Sequence, residues 1–315
     1  MSVFKMTGEL QKWLCILVFL LILLKKTKSS SITITYVESA VAKGGVCLDG
    51  SAPAYHWDRG SGDGINNWLV HLEGGAWCSS RETCLARKDT RLGSSKLMSK
   101  QVVFSGIFNN KKVLNPDFYN WNRVKVRYCD GSSFTGDIED VDPETGLYYR
   151  GARVFAAVME DLFEKGMSNA QNAQNMLQDI QTPLFFVNAA YDSWQIKNIL
   201  ASGAADPHGK WNACKAAITK CSPDQIEIMQ SYRQQFIESL INALDSSESA
   251  GYFINPCYTH CQTETQETWL SQGSPLTIAK AVRDWYYDRS LFQGIDCQYS
   301  CDKTCYNQTF EPSEM

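Results

Sequence analysis

The sequence predicts an α/β fold with a mostly parallel sheet, helices on both faces, and disulfide staples. Three observations carry this prediction. Short apolar runs alternate with amphipathic runs along the chain, which is the pattern of strand–helix units. No Pro/Ser-rich linker divides residues 32–315, so one large domain is expected there. Twelve cysteines in 315 residues exceed typical cytosolic usage and suit an oxidising compartment.

The first segment reads as a targeting signal. Trp13 to Leu24 form a twelve-residue apolar run, preceded by Lys5 and Lys12 and followed by Ser29 to Ser31. About 20 residues are needed to span a bilayer, so residues 1–31 read as a removable secretory leader rather than a stable membrane anchor. Lys25, Lys26 and Lys28 directly after the run keep a signal-anchor alternative open. Residues 1–31 contain five Lys and one Glu, so the remainder carries 25 basic and 33 acidic residues, a net charge of −8. That balance argues against a nucleic-acid partner. Cys15 leaves with the leader, and eleven cysteines remain. An odd number implies a leftover thiol, an intermolecular bridge, or a missing partner. The sequon Asn307-Gln308-Thr309 fits the secretory route.

Within 32–315, Trp68 to Leu72 reads as a strand ending in a Gly74-Gly75 turn, and Val124 to Tyr128 as another. Residues 150–165 place Val154, Val158 and Leu162 on one face and stop at Gly166, as a helix does. Leu184 to Val187 is an apolar strand, Gln225 to Leu244 an amphipathic helix, and Tyr252 to Asn255 a last short strand. Cys297, Cys301 and Cys305, at four-residue spacing, predict a disulfide-stapled cap.

Ligands of open α/β sheets sit beyond the carboxyl ends of the strands. Three of these ends carry suggestive groups. Gly74-Gly75-Ala76 can turn backbone N–H groups toward an oxyanion; an ordinary tight turn is the plainer alternative. Asp192 can accept the Nδ1 proton of a catalytic histidine or simply cap the turn at Ser193. His260, flanked by Cys257 and Cys261, is a candidate general base. In secretory context those cysteines favour disulfides over metal. Glycine loop, then Asp, then His is the α/β-hydrolase order without its leading serine. No G-x-S-x-G elbow occurs in the chain. The 18 residues 166–183, between the helix and the acid-bearing strand, are also too few for the roughly 30 of one strand–helix–strand unit.

The segments CLDGSAPAYHWDRG (47–60), LEGGAWC (72–78), YCDGSSFTGD (128–137), RGARVFAAVMEDL (150–162), TPLFFVNAAYDSWQ (182–195), HCQTETQETW (260–269) and CDKTCYN (301–307) resemble plant pectin acetylesterases. These are secreted carbohydrate esterases of the α/β-hydrolase type, related to the animal carboxylesterase Notum. The resemblance implies hydrolysis of acetyl esters on galacturonate residues of cell-wall pectin by a Ser-Asp-His triad, without cofactor or metal. It implies acetylated pectin as partner and the plant cell wall as location. By resemblance, Asp192 is the triad acid, His260 the base, and the Gly75 and Ala76 amides part of the oxyanion hole. The family's serine elbow, G-C-S-A-G-G, has no counterpart here, so the nucleophilic Ser is absent. The resemblance places an apparent internal deletion at 173/174, within a single domain over 32–315, and implies an inactive chain. Two alternatives stand beside it: a non-catalytic wall protein binding carbohydrate through aromatics such as Trp77 and Trp269, and an esterase that recruits Ser132, Ser133 or Ser193.

Overall fold

The computed structural model describes residues 31–169, 183–244, 250–270 and 276–311. The expected leader and the 173/174 join lie outside the described residues. Eight strands form: β1 (Ser31–Tyr36), β2 (Ala54–Asp58), β3 (Trp68–Leu72), β4 (Gln101–Val103), β5 (Asn122–Val126), β6 (Phe185–Ala189), β7 (Gly251–Asn255) and β8 (Gln293–Ile295). The main helices are α1 (Arg81–Lys88), α2 (Gly151–Glu164), α3 (Pro223–Leu244) and α4 (Ile278–Tyr286). β3 and α2 fall where the sequence places them. β5 begins two residues earlier than expected, because the Asn122 side chain ties its start to Trp57 and Gly60.

The strands make two sheets, in the orders β3-β5-β2-β1-β4 and β6-β7-β8. β3 runs parallel to β5, β6 to β7, and β7 to β8. The ladders through β1 and β2 are antiparallel, so the first sheet is mixed where the sequence predicts mostly parallel pairing. No α-helix lies between β1 and β2, and a return in parallel requires a crossover, usually a helix. The second sheet is parallel throughout.

Helices cover both faces of the second sheet. Alternate residues of a strand point to opposite sides. Ile254 of β7 therefore packs with Met229 and Leu240 of α3, and its neighbour Phe253 packs with Ile278 and Ala281 of α4. In the first sheet, Val124 and Val126 of β5 meet Val154, Val158 and Leu162 of α2 in a fully buried cluster. Each such aliphatic side chain contributes about 1.5–3 kcal/mol relative to exposure. Gly166, at φ 115°, ends this segment, a backbone state that favours glycine.

β3 and β6 are edge strands, each paired on one side only among the described residues. Leu69 of β3 and Phe185 and Val187 of β6 pack against one shared cluster around Phe253 and Trp269. The two edges thus border the same core, each offering the open side of a parallel ladder. Five disulfides staple the fold: Cys47–Cys129, Cys78–Cys84, Cys214–Cys221, Cys257–Cys305 and Cys297–Cys301. Two of them form the expected C-terminal cap.

Candidate active site

β6 delivers Asp192 and β7 delivers His260, each from the loop beyond its carboxyl end. Asp192 is buried and makes both contacts weighed for it, one with a turn and one with a histidine ring. Its Oδ1 accepts from the Gln195 backbone N–H at 2.9 Å, capping the turn Ser193–Gln195. Its Oδ2 lies 2.8 Å from His260 Nδ1. The cap fixes the carboxylate, and the carboxylate fixes the ring. Around His260, the backbone N–H donates to Gln308 Oε1 at 3.0 Å, and the Trp194 ring stacks at 6.2 Å. Cys257–Cys305 ties the preceding loop to the C-terminal tail.

The remaining histidines sit elsewhere. His56 is buried in β2, and its pKa is pushed down to about 4, first by burial and then by Arg127. His71 lies 3.0 Å from Glu264. Of the three shown in ion pairs or burial here, only His260 holds an aspartate on Nδ1 while its ring stays partly open, 44% exposed. Its pKa is raised to about 10, first by the hydrogen bond it donates to Asp192 and then by the neighbouring Cys261 thiol. A raised histidine stabilises the fold fully below its unfolded value of about 6.5 and loses that contribution as pH rises toward 10. Ring-proton NMR across pH 5–11 should place the His260 midpoint well above 6.5, and Asp192→Asn should pull it down toward that value. An unmoved midpoint would show that the carboxylate does not govern the ring.

Cys261 is the unpaired, exposed cysteine among the described residues, as an odd count requires. A chromogenic disulfide reagent should react with it in the native chain, and Cys261→Ser should remove one thiol equivalent. No loss of thiol on substitution would contradict the disulfide assignment.

The glycine loop follows β3. A Cβ on Gly75 would drive into the ring of Tyr128, so only glycine fits. Ala76 adopts φ 55°. The loop is held by its carbonyls: Arg87 donates to the Gly75 and Ala76 oxygens, and the Tyr128 hydroxyl donates to Ala76 O. With the carbonyls engaged from one side, the Gly75 and Ala76 N–H groups have no hydrogen-bond partner among the described residues. This is the arrangement an oxyanion donor needs. No hydrogen bond, ion pair or ring contact joins this loop to Asp192 or His260 among the described residues. The structure brings Asp192 and His260 together and shows no contact between them and the glycine loop among the described residues.

A charge network that the sequence reading did not single out links the two sheets. Glu264, four residues beyond His260, pairs with Lys125 of β5 and with His71 of β3. Burial pushes the Glu264 carboxyl up, but His71 and Lys125 outweigh it and hold the pKa at about 2. The backbone N–H of Ile107 also donates to Thr263 O at 2.8 Å. His71 and Lys125 are register partners in the β3–β5 ladder and so share a face. Two polar residues facing each other in apolar strands were the available signal for a buried partner.

A pectinacetylesterase family profile matches residues 25–174 and 172–306. The chain belongs to the pectinacetylesterase family. Pectin acetylesterase 11 of Arabidopsis thaliana is 42% identical over 388 aligned residues, covering 95% of this chain and 98% of that protein. Pectin acetylesterase 7 of the same plant is 40% identical over 365, covering 88% and 93%. The solved structure of the Wnt deacylase Notum from Drosophila superposes with a TM-score of 0.61 at 17% identity, covering 88% of this chain and all of that one, which supports the α/β-hydrolase-like fold. By family resemblance the protein is a carboxylic-ester hydrolase. Coverage of 95% is about 299 residues, so about 89 of the 388 aligned positions face a gap in this chain.

The serines open to recruitment are otherwise engaged. Ser132 Oγ donates to Asp130 at 2.9 Å, Ser133 Oγ accepts from Trp77 Nε1 at 2.8 Å, and the buried Ser193 Oγ donates to Gln308 at 2.8 Å. None of them bonds to His260 among the described residues. Trp269 is fully buried while Trp77 is 65% exposed, so only Trp77 of that pair is available to a sugar. Packing with Phe118, Ile278 and Phe253 explains the burial of Trp269.

Proposed function

We propose that this chain is a shortened form of a pectin acetylesterase, one hydrolase domain that keeps the acid, the base and the oxyanion loop but lacks the strand and elbow bearing the nucleophile. The Asp192–His260 pair at 2.8 Å, in a fold whose β3 and β6 are each paired on one side only among the described residues, carries the reading. Two further observations support it. The family match divides at residues 172–174, where the apparent join lies. The gaps against two relatives are of one size: 88% of this chain is about 277 residues against 365 aligned, again about 88 unfilled positions. That length holds more than one strand–helix–strand unit.

In the complete enzyme the substrate is an acetyl ester on galacturonate of cell-wall pectin. His260 Nε2, in its deprotonated form, takes the serine proton as the hydroxyl attacks the acetyl carbonyl. Asp192 holds the ring through Nδ1 and stabilises the imidazolium. The Gly75 and Ala76 amides receive the developing oxyanion. The proton then passes to the departing sugar hydroxyl, and water releases acetate from the serine. This chain lacks the serine oxygen and the elbow amide that follows it, so acyl-enzyme chemistry stops before its first bond. The five disulfides support an oxidising, extracellular location, here the cell wall.

The purified chain, treated with a fluorophosphonate probe and with acetylated pectin, is expected to show neither serine labelling nor acetate release above a His260→Ala control. Labelling of any serine, or His260-dependent acetate release, would refute the proposal of inactivity.

A further inference from the structure

A cleft of about 330 Å³ lies at the end of the sheet remote from the dyad, a volume within the range of small-ligand sites. The loop before β3, the loop before β5 and the residues just after α4 line it. The dyad end is fixed by Glu264, which meets His71 and Lys125 near the carboxyl ends of β3 and β5. Asn67 and Trp121, which line the cleft, directly precede the amino ends of those strands. Five strand residues, roughly 17 Å, separate the two places.

The lining combines three kinds of group. Tyr119 and Tyr287 present aromatic rings, and Tyr287 is 40% exposed. Lys112 Nζ stands 5.9 Å from the Tyr119 ring centroid, and Arg289 Cζ stands 4.9 Å from that of Tyr287. Asn67, Asn120, Asp63 and Asp117 add amide and carboxylate groups. Neither cation has a close ion pair among the described residues. Arg289 comes no nearer than 4.0 Å to Asp284, and Lys112 has no ion pair among the described residues.

We infer that this cleft is a second saccharide site, separate from the catalytic end, and that it takes a uronate unit of an acidic oligosaccharide. A pyranose presents an apolar C–H face, a ring of hydroxyls, and here one carboxylate. Tyr287 supplies the flat partner for the C–H face. Arg289 and Lys112 supply charge-assisted donors for the carboxylate. The two aspartates and two asparagines accept from and donate to the hydroxyls. Because Asp63 and Asp117 balance the two cations, recognition rests on local pairing at Arg289 rather than on net charge, and the neutral sugar lacks that pair. The choice of uronate rests on the pectin reading above. The site itself needs no catalysis.

Calorimetric titration of the purified chain with unacetylated trigalacturonate, against galactotriose, tests the site. Trigalacturonate should bind at least tenfold tighter than the neutral sugar. Arg289→Ala and Tyr287→Ala should each weaken it about tenfold, and Lys112→Ala, an exposed change that spares the fold, should weaken it severalfold. Thermal unfolding identifies any variant that has lost its structure, and the other two then decide. Absence of trigalacturonate binding at millimolar concentration, equal binding of the two sugars, or loss of binding on Trp77→Ala with the cleft variants unaffected would each overturn the inference. Esterase activity plays no part in this readout. A restored enzyme that fails to release acetate from pectin would sink the functional reading and leave the cleft standing.

Discussion

Inserting at 173/174 the roughly 89 residues that relatives carry should raise acetyl-ester hydrolysis by at least about 10³-fold over the present chain, because loss of a triad nucleophile typically costs 10³-fold or far more. In the restored chain, His260→Ala and removal of the new serine should cost nearly the same, since the members act as one unit. Asp192→Asn should cost about 10⁴-fold in kcat by leaving the ring in the wrong tautomer. Acetate release from acetylated pectin measures all three. A restored chain that folds, carries a labelled serine and still gains nothing from His260 would remove His260 from the mechanism.

Glu264→Gln should destabilise the fold by about 2–3 kcal/mol at neutral pH, somewhat below the 3–5 kcal/mol typical of breaking a fully buried pair. The substitution leaves Lys125 and His71 without their common carboxylate. The Glu264 pKa is depressed to about 2 from an ordinary 4.5. Its stabilisation is therefore present above pH 4.5 and fades as pH falls through 2. Denaturant unfolding at pH 7 and at pH 3 should show the larger loss at pH 7. Adding Lys125→Met to Glu264→Gln should recover part of it. A loss that is the same at both pH values would assign the effect to packing instead of charge.

Much of this was legible in the chain. Trp68 to Leu72 is bounded by polar and glycine residues, so its strand limits were plain. Val154, Val158 and Leu162 recur at helical spacing, and Gly166 stops the helix. Asp192 and His260 were found because each follows an apolar strand, a local feature. The start of β5 was not legible, because Asn122 takes its place through bonds to Trp57 and Gly60, more than 60 residues away. Its end was hidden too, since the Tyr128 N–H leaves the ladder for the Glu73 carboxylate. The Glu264 network required knowing that β3 and β5 are neighbours, and the fate of Trp269 required knowing what packs around it. Pairings across long separations carry no periodic signal within either partner.

The open sides of β3 and β6 have a consequence for how copies of this chain meet. Each edge is a row of backbone donors and acceptors already set for parallel pairing, and such rows recruit further strands. The β3 edge of one copy and the β6 edge of another are different surfaces, so their pairing is head-to-tail and not two-fold. Contacts of that kind close into rings only when the rotation fits, and otherwise run on as fibres. In the shortened esterase proposed above, the two open edges would thus act as a pair of polymer ends.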